Sequence, residues 1–500
     1  MDAPQDKNNT IARAAVPPWA KGIFWAAVLC VYVLRMGYVL SFPQIYCDKN
    51  AGLYYATVSE WDKNGRFYVR YMRPPAYPVF LLAVSKTIKM ENLALVQHAS
   101  LALAVCLLGY LLTRMFPSPA GFVAASVFLA ACTLFPSQYV IASLMIADSL
   151  QTQVFLPPLL FMLLWLEKPS LKRGLALGCV TALSLLVRPT NIVLLPAVFL
   201  VMAARLRLKA IKSIAVFLAM TFVCVLPWLV ENHRLHGRFA LSNMSGPAMI
   251  QSYGHLIDIQ SPKNKAYKQV IKDNFTAYQD RRAHMTPDEI LFAGGEITWS
   301  EYSFLKPIAQ TFRLSPAQRD AKARELVMEG ILKHPGQALR LVCMRWTAFY
   351  FNSPRRLEKI LGSFSQAQLI AFSSLDKAFV NRDDSNWTDA LGQEQKQAAY
   401  QKAAWVMKPL QHLSGVMGWA SVIILWAGVV LFPLALSGPR AGFALFLFLF
   451  IHGYCLLVCL TMQPEPRYFQ PVTYLASFLL CVEMLSARDF FKKGRVFFAQ

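Results

Sequence analysis

The chain's 500 residues are 56% hydrophobic with a mean hydropathy of +0.38, above the roughly 45–50% apolar usage of soluble domains. Stretches such as Ala441 to Met462 and Leu413 to Leu436 are long enough to cross a hydrocarbon core about 30 Å thick, and a single soluble core could not bury so many of them. The formal charge of +22 lies in short clusters beside apolar segments and not along one face or tail, which sets nucleic acid aside as a partner and marks the clusters as orientation signals.

The first apolar run, about 22–41, has full span length and no clear small-residue cleavage site, so it reads as a span and not as a cleavable signal. Nine more follow, roughly 92–112, 120–137, 149–166, 174–187, 190–204, 213–230, 413–436, 441–462 and 468–486. Between the first two lies Pro74 to Ile88, opened by Pro-Pro and flanked by Arg73, Lys86 and Lys89. It is short for a span and suits a re-entrant or interfacial segment. The expected fold is therefore an α-helical, multi-spanning membrane protein with about ten spans.

Loop charges orient it. With the N-terminus in the cytoplasm, the even-numbered connections carry Arg114, then Lys168, Lys172 and Arg173, then Arg205, Arg207, Lys209 and Lys212, then Arg440. The C-terminal tail adds Arg488, Lys492, Lys493 and Arg495. This is the positive-inside pattern. Counting Pro74 to Ile88 as a span would move Arg205 to Lys212 outside, which the charges oppose.

Three parts result. Residues 1–230 form an N-terminal membrane module with a first outer loop at 43–91. Residues 231–411 form a large, mainly helical extracytoplasmic segment, and 412–500 supply the last spans and a basic cytoplasmic tail. In the outer segment, Ser315 to Ile331 reads as an amphipathic helix opened by a Ser cap and a Pro in the first turn. Most of the ten cysteines lie singly in apolar runs as small core hydrophobes, and His98 reads as a packed core histidine of the second span.

Five charged residues fall at the outer border: Asp48 in CDKNAGLYY, Arg73 before Pro-Pro, Asp148 in ADSLQTQ, Arg188 in LVRPTN and Arg467 in PEPRYFQP. Singly, each carboxylate reads as a solvated helix cap and each arginine as a snorkelling cation. Jointly they point further, because ionisable groups at membrane level tend to be functional and arginine forks match phosphate oxygens. The joint reading is an anionic, phosphate-bearing ligand, with carboxylates nearby for proton transfer or metal binding.

The order of an outer-loop Asp, a tyrosine pair, RPPAYPVFLL, an apolar hairpin and ADSLQTQ resembles the GT-C glycosyltransferases, especially bacterial members akin to protein O-mannosyltransferases and the lipid A aminoarabinose transferase. LLVRPTNIVLLP, PWLVENHRLHGRFALSN, HPGQALRLVCMRW and PEPRYFQPVTYL are similar to the same family. The resemblance covers about residues 22–350 and 413–486, and leaves 351–410 unmatched. It implies a sugar donor linked to a polyprenyl phosphate, an acceptor that is a glycan, a lipid or a protein, and a site facing the periplasm from the inner membrane. Residue by residue, it implies Asp48 and Asp148 as catalytic carboxylates and Arg73, Arg188 and Arg467 as donor-phosphate ligands. Tyr54, Tyr55, Tyr77 and Tyr468 are implied as donor or acceptor contacts. Asp48 is followed by Lys49 where some relatives carry an acidic doublet, so a divalent metal ion is left as an open cofactor. The alternatives are a flippase of lipid-linked saccharides and a ligase or polymerase of lipid-linked oligosaccharides; candidates clustered at one face, with no internal repeat, favour the enzyme.

Overall fold

A computed structural model of the chain describes residues 16–41, 46–47, 51–65, 67, 73–206, 211–242, 245–273, 284, 306–351, 370–371, 393–438, 440–461 and 466–498. Each of the ten apolar runs forms a helix. Helix α1 (Pro18–Ser41) leads into the first loop, which holds α2 (Ala51–Asn64) and α3 (Ala76–Thr87). The membrane module continues with α4 (Leu93–Met115), α5 (Pro119–Leu134), the short α6 (Pro136–Ala142), α7 (Gln151–Glu167), α8 (Leu171–Val187), α9 (Leu194–Leu206) and α10 (Ile211–His236). The outer segment contributes α11 (Ser245–Tyr253), α12 (Lys306–Thr311), α13 (Pro316–Lys333) and α14 (Pro335–Phe351). Helices α15 (Gln393–Leu436), α16 (Ala441–Thr461) and α17 (Pro466–Phe498) close the chain.

Six of these stretches are long and apolar enough to cross a bilayer by length and composition, among them α1, α4, α10 and α16. Helices α5, α8 and α9 are shorter and lean on longer neighbours: α5 on α1, α4 and α17, α8 on α7 and α10, and α9 on α10 and α16. Helix α3, with 12 residues, reaches only about 18 Å, in keeping with a segment that does not span. Helix α15 has 44 residues and starts at Gln393, so part of the stretch unmatched by motif is helical.

Local chemistry sets the boundaries. Ser118 Oγ accepts from the Gly121 N–H at 3.3 Å with Pro119 opening α5, and Ser170 Oγ accepts from the Arg173 N–H at 3.3 Å to open α8. In α7, Pro157 and Pro158 lie inside the helix. Pro158 has no N–H to give the Val154 carbonyl, and the Ser184 hydroxyl of α8 takes that acceptor at 2.7 Å. Helices α8 and α10 approach closely at Gly178, whose carbonyl accepts from Thr221 Oγ1 at 3.2 Å. A β-carbon there would fall 2.7 Å from the Phe217 carbonyl oxygen.

The outer segment is folded around a buried acid. Asp320 accepts the Gly246 N–H at 2.6 Å and pairs with Arg238 and Arg324, tying α13 to the end of α10 and the start of α11. The expected Ser315 cap forms a full capping box with Gln318, and the helix it opens runs to Lys333, two residues beyond the expected end. The segment is docked on α16: Tyr253 donates to the Leu460 carbonyl at 2.7 Å, and the Tyr350 hydroxyl bonds to His452 Nδ1. Finally, Tyr46–Cys47 pairs antiparallel with Ile370–Ala371, joining the first loop to a distant part of the chain.

Two outcomes are expected from this packing. Gly178→Val should loosen α8 from α10, costing about 1–3 kcal/mol and lowering the melting temperature of the detergent-solubilised protein; an unchanged melting curve contradicts the close approach. Lys333 donates to Asp258 at 2.6 Å and Lys322 to Glu325 at 2.7 Å, and these bonds hold both carboxyls below their ordinary values. A depressed folded pKa stabilises above the unfolded value and ceases to do so as pH falls through the folded one. Amide protection factors in α13 should therefore drop as pH falls below about 4 while those in α4 hold, measured by hydrogen exchange.

Candidate active site at one end of the bundle

Asp148 lies in the 3₁₀ turn Ala147–Leu150 that feeds α7, and Arg188 is the residue that ends α8 before the turn Pro189–Val193. Their side chains form an ion pair, with only 5% of the Asp148 and 13% of the Arg188 side chain exposed. Three residues further along each segment a second link repeats the pairing: Gln151 Nε2 donates to Asn191 Oδ1 at 2.5 Å, and Asn191 Nδ2 donates to the Ser184 carbonyl at 2.8 Å. Two polar rungs thus hold the start of α7 against the turn after α8.

The other half of the site is assembled on Gln97 of α4, which is fully buried. Its amide oxygen accepts from the Tyr77 hydroxyl at 3.0 Å and from Ser149 Oγ at 2.6 Å. Its amide nitrogen donates to the carbonyls of Ala142 at 2.9 Å and Leu144 at 3.1 Å. All four hydrogen-bonding positions of the side chain are used. From Tyr77 the contacts run outward: its ring meets Tyr54 edge-on at 5.0 Å, and the Arg73 guanidinium lies 5.6 Å from the Tyr54 ring centre. Around this chain Tyr55, Val58, Leu81, Leu93, Ile146 and Val187 form an apolar cluster distinct from the main core.

Of the residues expected from sequence, Tyr54, Tyr55, Arg73, Tyr77, Asp148 and Arg188 are therefore gathered at one end of the bundle. Asp48 lies outside the described residues, directly after the Tyr46–Cys47 strand. Arg467 and Tyr468 fall in the first turn of α17, and their side chains lie outside the described residues. Gln97 and Ser149 were not expected; the only signal for the first is an amide inside the apolar run LALVQHAS. Among the described residues no group of three or more His, Cys, Asp or Glu is gathered, and Asp148 is already engaged by Arg188.

The geometry makes the Asp148–Arg188 pair a sharp test. Arg188→Met leaves a buried carboxylate alone and should destabilise the protein by about 3–5 kcal/mol, whereas adding Asp148→Leu should restore much of that stability. Thermal unfolding of the single and double variants checks this; additive losses would mean that the two side chains do not interact.

Residues 73–230 match the family model for dolichyl-phosphate-mannose-protein mannosyltransferase. No curated protein matches the sequence. Among solved structures, the crystal structure of ArnT from Cupriavidus metallidurans bound to undecaprenyl phosphate is similar at 15% identity and a TM-score of 0.37, over 92% of this chain and 77% of that one. That likeness is distant, and no residue correspondence follows from it. The family match spans α3 to α10, so the part of the chain that holds Arg73, Gln97, Asp148 and Arg188 is similar to that family of membrane mannosyltransferases.

Proposed function

We propose that the chain transfers one sugar, a hexose or a pentose, from a polyprenyl-phosphate donor to a glycan, lipid or protein acceptor at the outer face of the bacterial inner membrane, with both termini in the cytoplasm. One observation carries the reading. Tyr77, with Tyr54 and Arg73 beside it, and Ser149, the chain neighbour of Asp148 in the Asp148–Arg188 pair, bond to or adjoin one buried amide, at the helix ends where loop charges put the non-cytoplasmic face. The matched family, by its description, uses a phosphate-linked lipid sugar, and a donor of that kind carries its anion at the membrane border.

In the proposed reaction an acceptor hydroxyl oxygen bonds to C1 of the donor sugar. The C1–O bond to phosphate breaks, its electron pair leaves with the phosphate, and Asp48 takes the hydroxyl proton. Displacement from the opposite face inverts the anomeric centre. Negative charge grows on the leaving phosphate, where Arg73, Arg188 and Arg467 stabilise the transition state more than the ground state. Asp148 keeps Arg188 in place, while Tyr54, Tyr55, Tyr77 and Tyr468 bound the sugar.

Mass spectrometry of glycolipids and glycoproteins from cells with and without the gene tests the class. A single-sugar increment missing from one acceptor is expected. A lipid-linked sugar accumulating on the cytoplasmic side would instead indicate a flippase, and loss of a whole polymer a ligase. Asp48→Asn should reduce transfer by roughly 10²–10⁴-fold with the protein still folded in membranes; near-normal transfer would remove Asp48 as the base.

A further inference from the structure

Arg35 lies six residues before the end of α1, about 9 Å inside the end of the helix that leads to the first loop. Its side chain is 0% exposed. Nη2 donates to the Tyr474 hydroxyl of α17 at 2.8 Å, and the guanidinium carbon lies 4.8 Å from the centre of the Tyr139 ring. Nε and Nη1 are buried without a hydrogen-bond partner. The titratable groups that interact with its charge are His98, Cys106, Cys132, Tyr139 and Tyr474, none of which is a carboxylic acid. Among the described residues no carboxylate pairs with it.

Arginine does not shed its proton in proteins, and an isolated cation inside a membrane bundle is expensive and tends to be functional. A hydroxyl and an aromatic face compensate it only in part. Its location matters as much as its charge. His98, beside it, meets Ser143 Oγ through Nε2 at 3.1 Å. His98 directly follows Gln97, the amide on which the candidate site is built. Arg35 therefore lies beneath that site, on the membrane side, and unlike Arg188, whose charge is offset by Asp148, it has no carboxylate beside it among the described residues.

We infer that Arg35 is the standing positive charge that draws and holds a phosphate-bearing anion at this end of the bundle, the anion being the headgroup of a lipid phosphate or free phosphate. Under the glycosyltransferase reading, on which this rests for its natural ligand, the lipid phosphate is that of the donor. Direct contact is not required. A unit charge at a distance on the order of 10 Å, at an effective dielectric constant of about 20, changes affinity by roughly tenfold.

The test uses the full-length, detergent-solubilised chain and three probes: a short-chain polyprenyl phosphate, the corresponding polyprenol, and inorganic phosphate. Kd is read from ligand-induced thermal shifts. The polyprenyl phosphate should stabilise the wild type and the polyprenol should not. Arg35→Gln, which keeps a donor for Tyr474 and removes the charge, should weaken polyprenyl-phosphate binding about tenfold or more, and Arg35→Lys should stay within about threefold of wild type. An equal Arg35 dependence with inorganic phosphate identifies the anion as soluble phosphate; dependence confined to the lipid identifies the headgroup. Arg35→Gln binding within twofold of wild type overturns the inference. If Arg35→Gln does not insert, Arg35→Lys decides, since a tenfold loss with the charge retained also overturns it. The two readings fail separately. Arg35-dependent binding without any sugar transfer by the wild type defeats the glycosyltransferase and leaves Arg35 standing, whereas intact transfer with Arg35-independent binding does the reverse.

Discussion

The arrangement at the loop end of the bundle depends on the satisfaction of one buried amide. In a membrane interior no water stands ready to pair with a backbone group, so an irregular turn survives only where protein atoms complete its hydrogen bonds. Between α6 and α7 the chain leaves helical geometry, and the Ala142 and Leu144 carbonyls are completed by the two N–H bonds of Gln97. The same side chain fixes Ser149, the neighbour of Asp148, and through Tyr77 it fixes α3 and the aromatic pair that carries Arg73. Carboxylate and cation come from segments far apart in sequence, and they are related in space because both are referred to that side chain.

Much of this was legible in the sequence, for reasons of length and charge. Ten apolar runs announce ten helices, and the Ser cap with its following Pro at 315 and 316 announces where one helix of the outer segment starts. Asp148, Arg73 and Arg188 stand out because a charge at a membrane border is rarely idle. Gln97 did not stand out, because an uncharged amide in an apolar span has no pattern of its own and acquires meaning only from four partners spread over some seventy residues of chain. Arg35 was hidden differently: it sits within a span that reads correctly as a span, and the lack of an acid beside it among the described residues is a fact about neighbours from α4, α6 and α17. The pairing of Tyr46–Cys47 with Ile370–Ala371 is two residues long and carries no periodicity to find.

The outer segment is connected to the site by a second route, through α16. Tyr253 and Tyr350 attach it to that helix, and the same helix packs on the turn that follows Arg188. At that contact Gly453 faces Val193 so closely that a β-carbon would lie 2.6 Å from Val193 Cγ1. Any shift of the outer segment along α16 therefore reaches the end of α8 by contact between rigid helices and not through a flexible linker.

The double proline of α7 has a consequence for how this protein tolerates change. The Val154 carbonyl is available to Ser184 only because Pro158 cannot claim it, and Ser184 stands one helical turn before Arg188. A residue at 158 with an N–H would make α7 a better isolated helix and would at the same time compete for the acceptor that anchors α8. Helix propensity and site integrity thus pull in opposite directions at one position. An improvement judged by local stability would be paid for in the alignment of two helices.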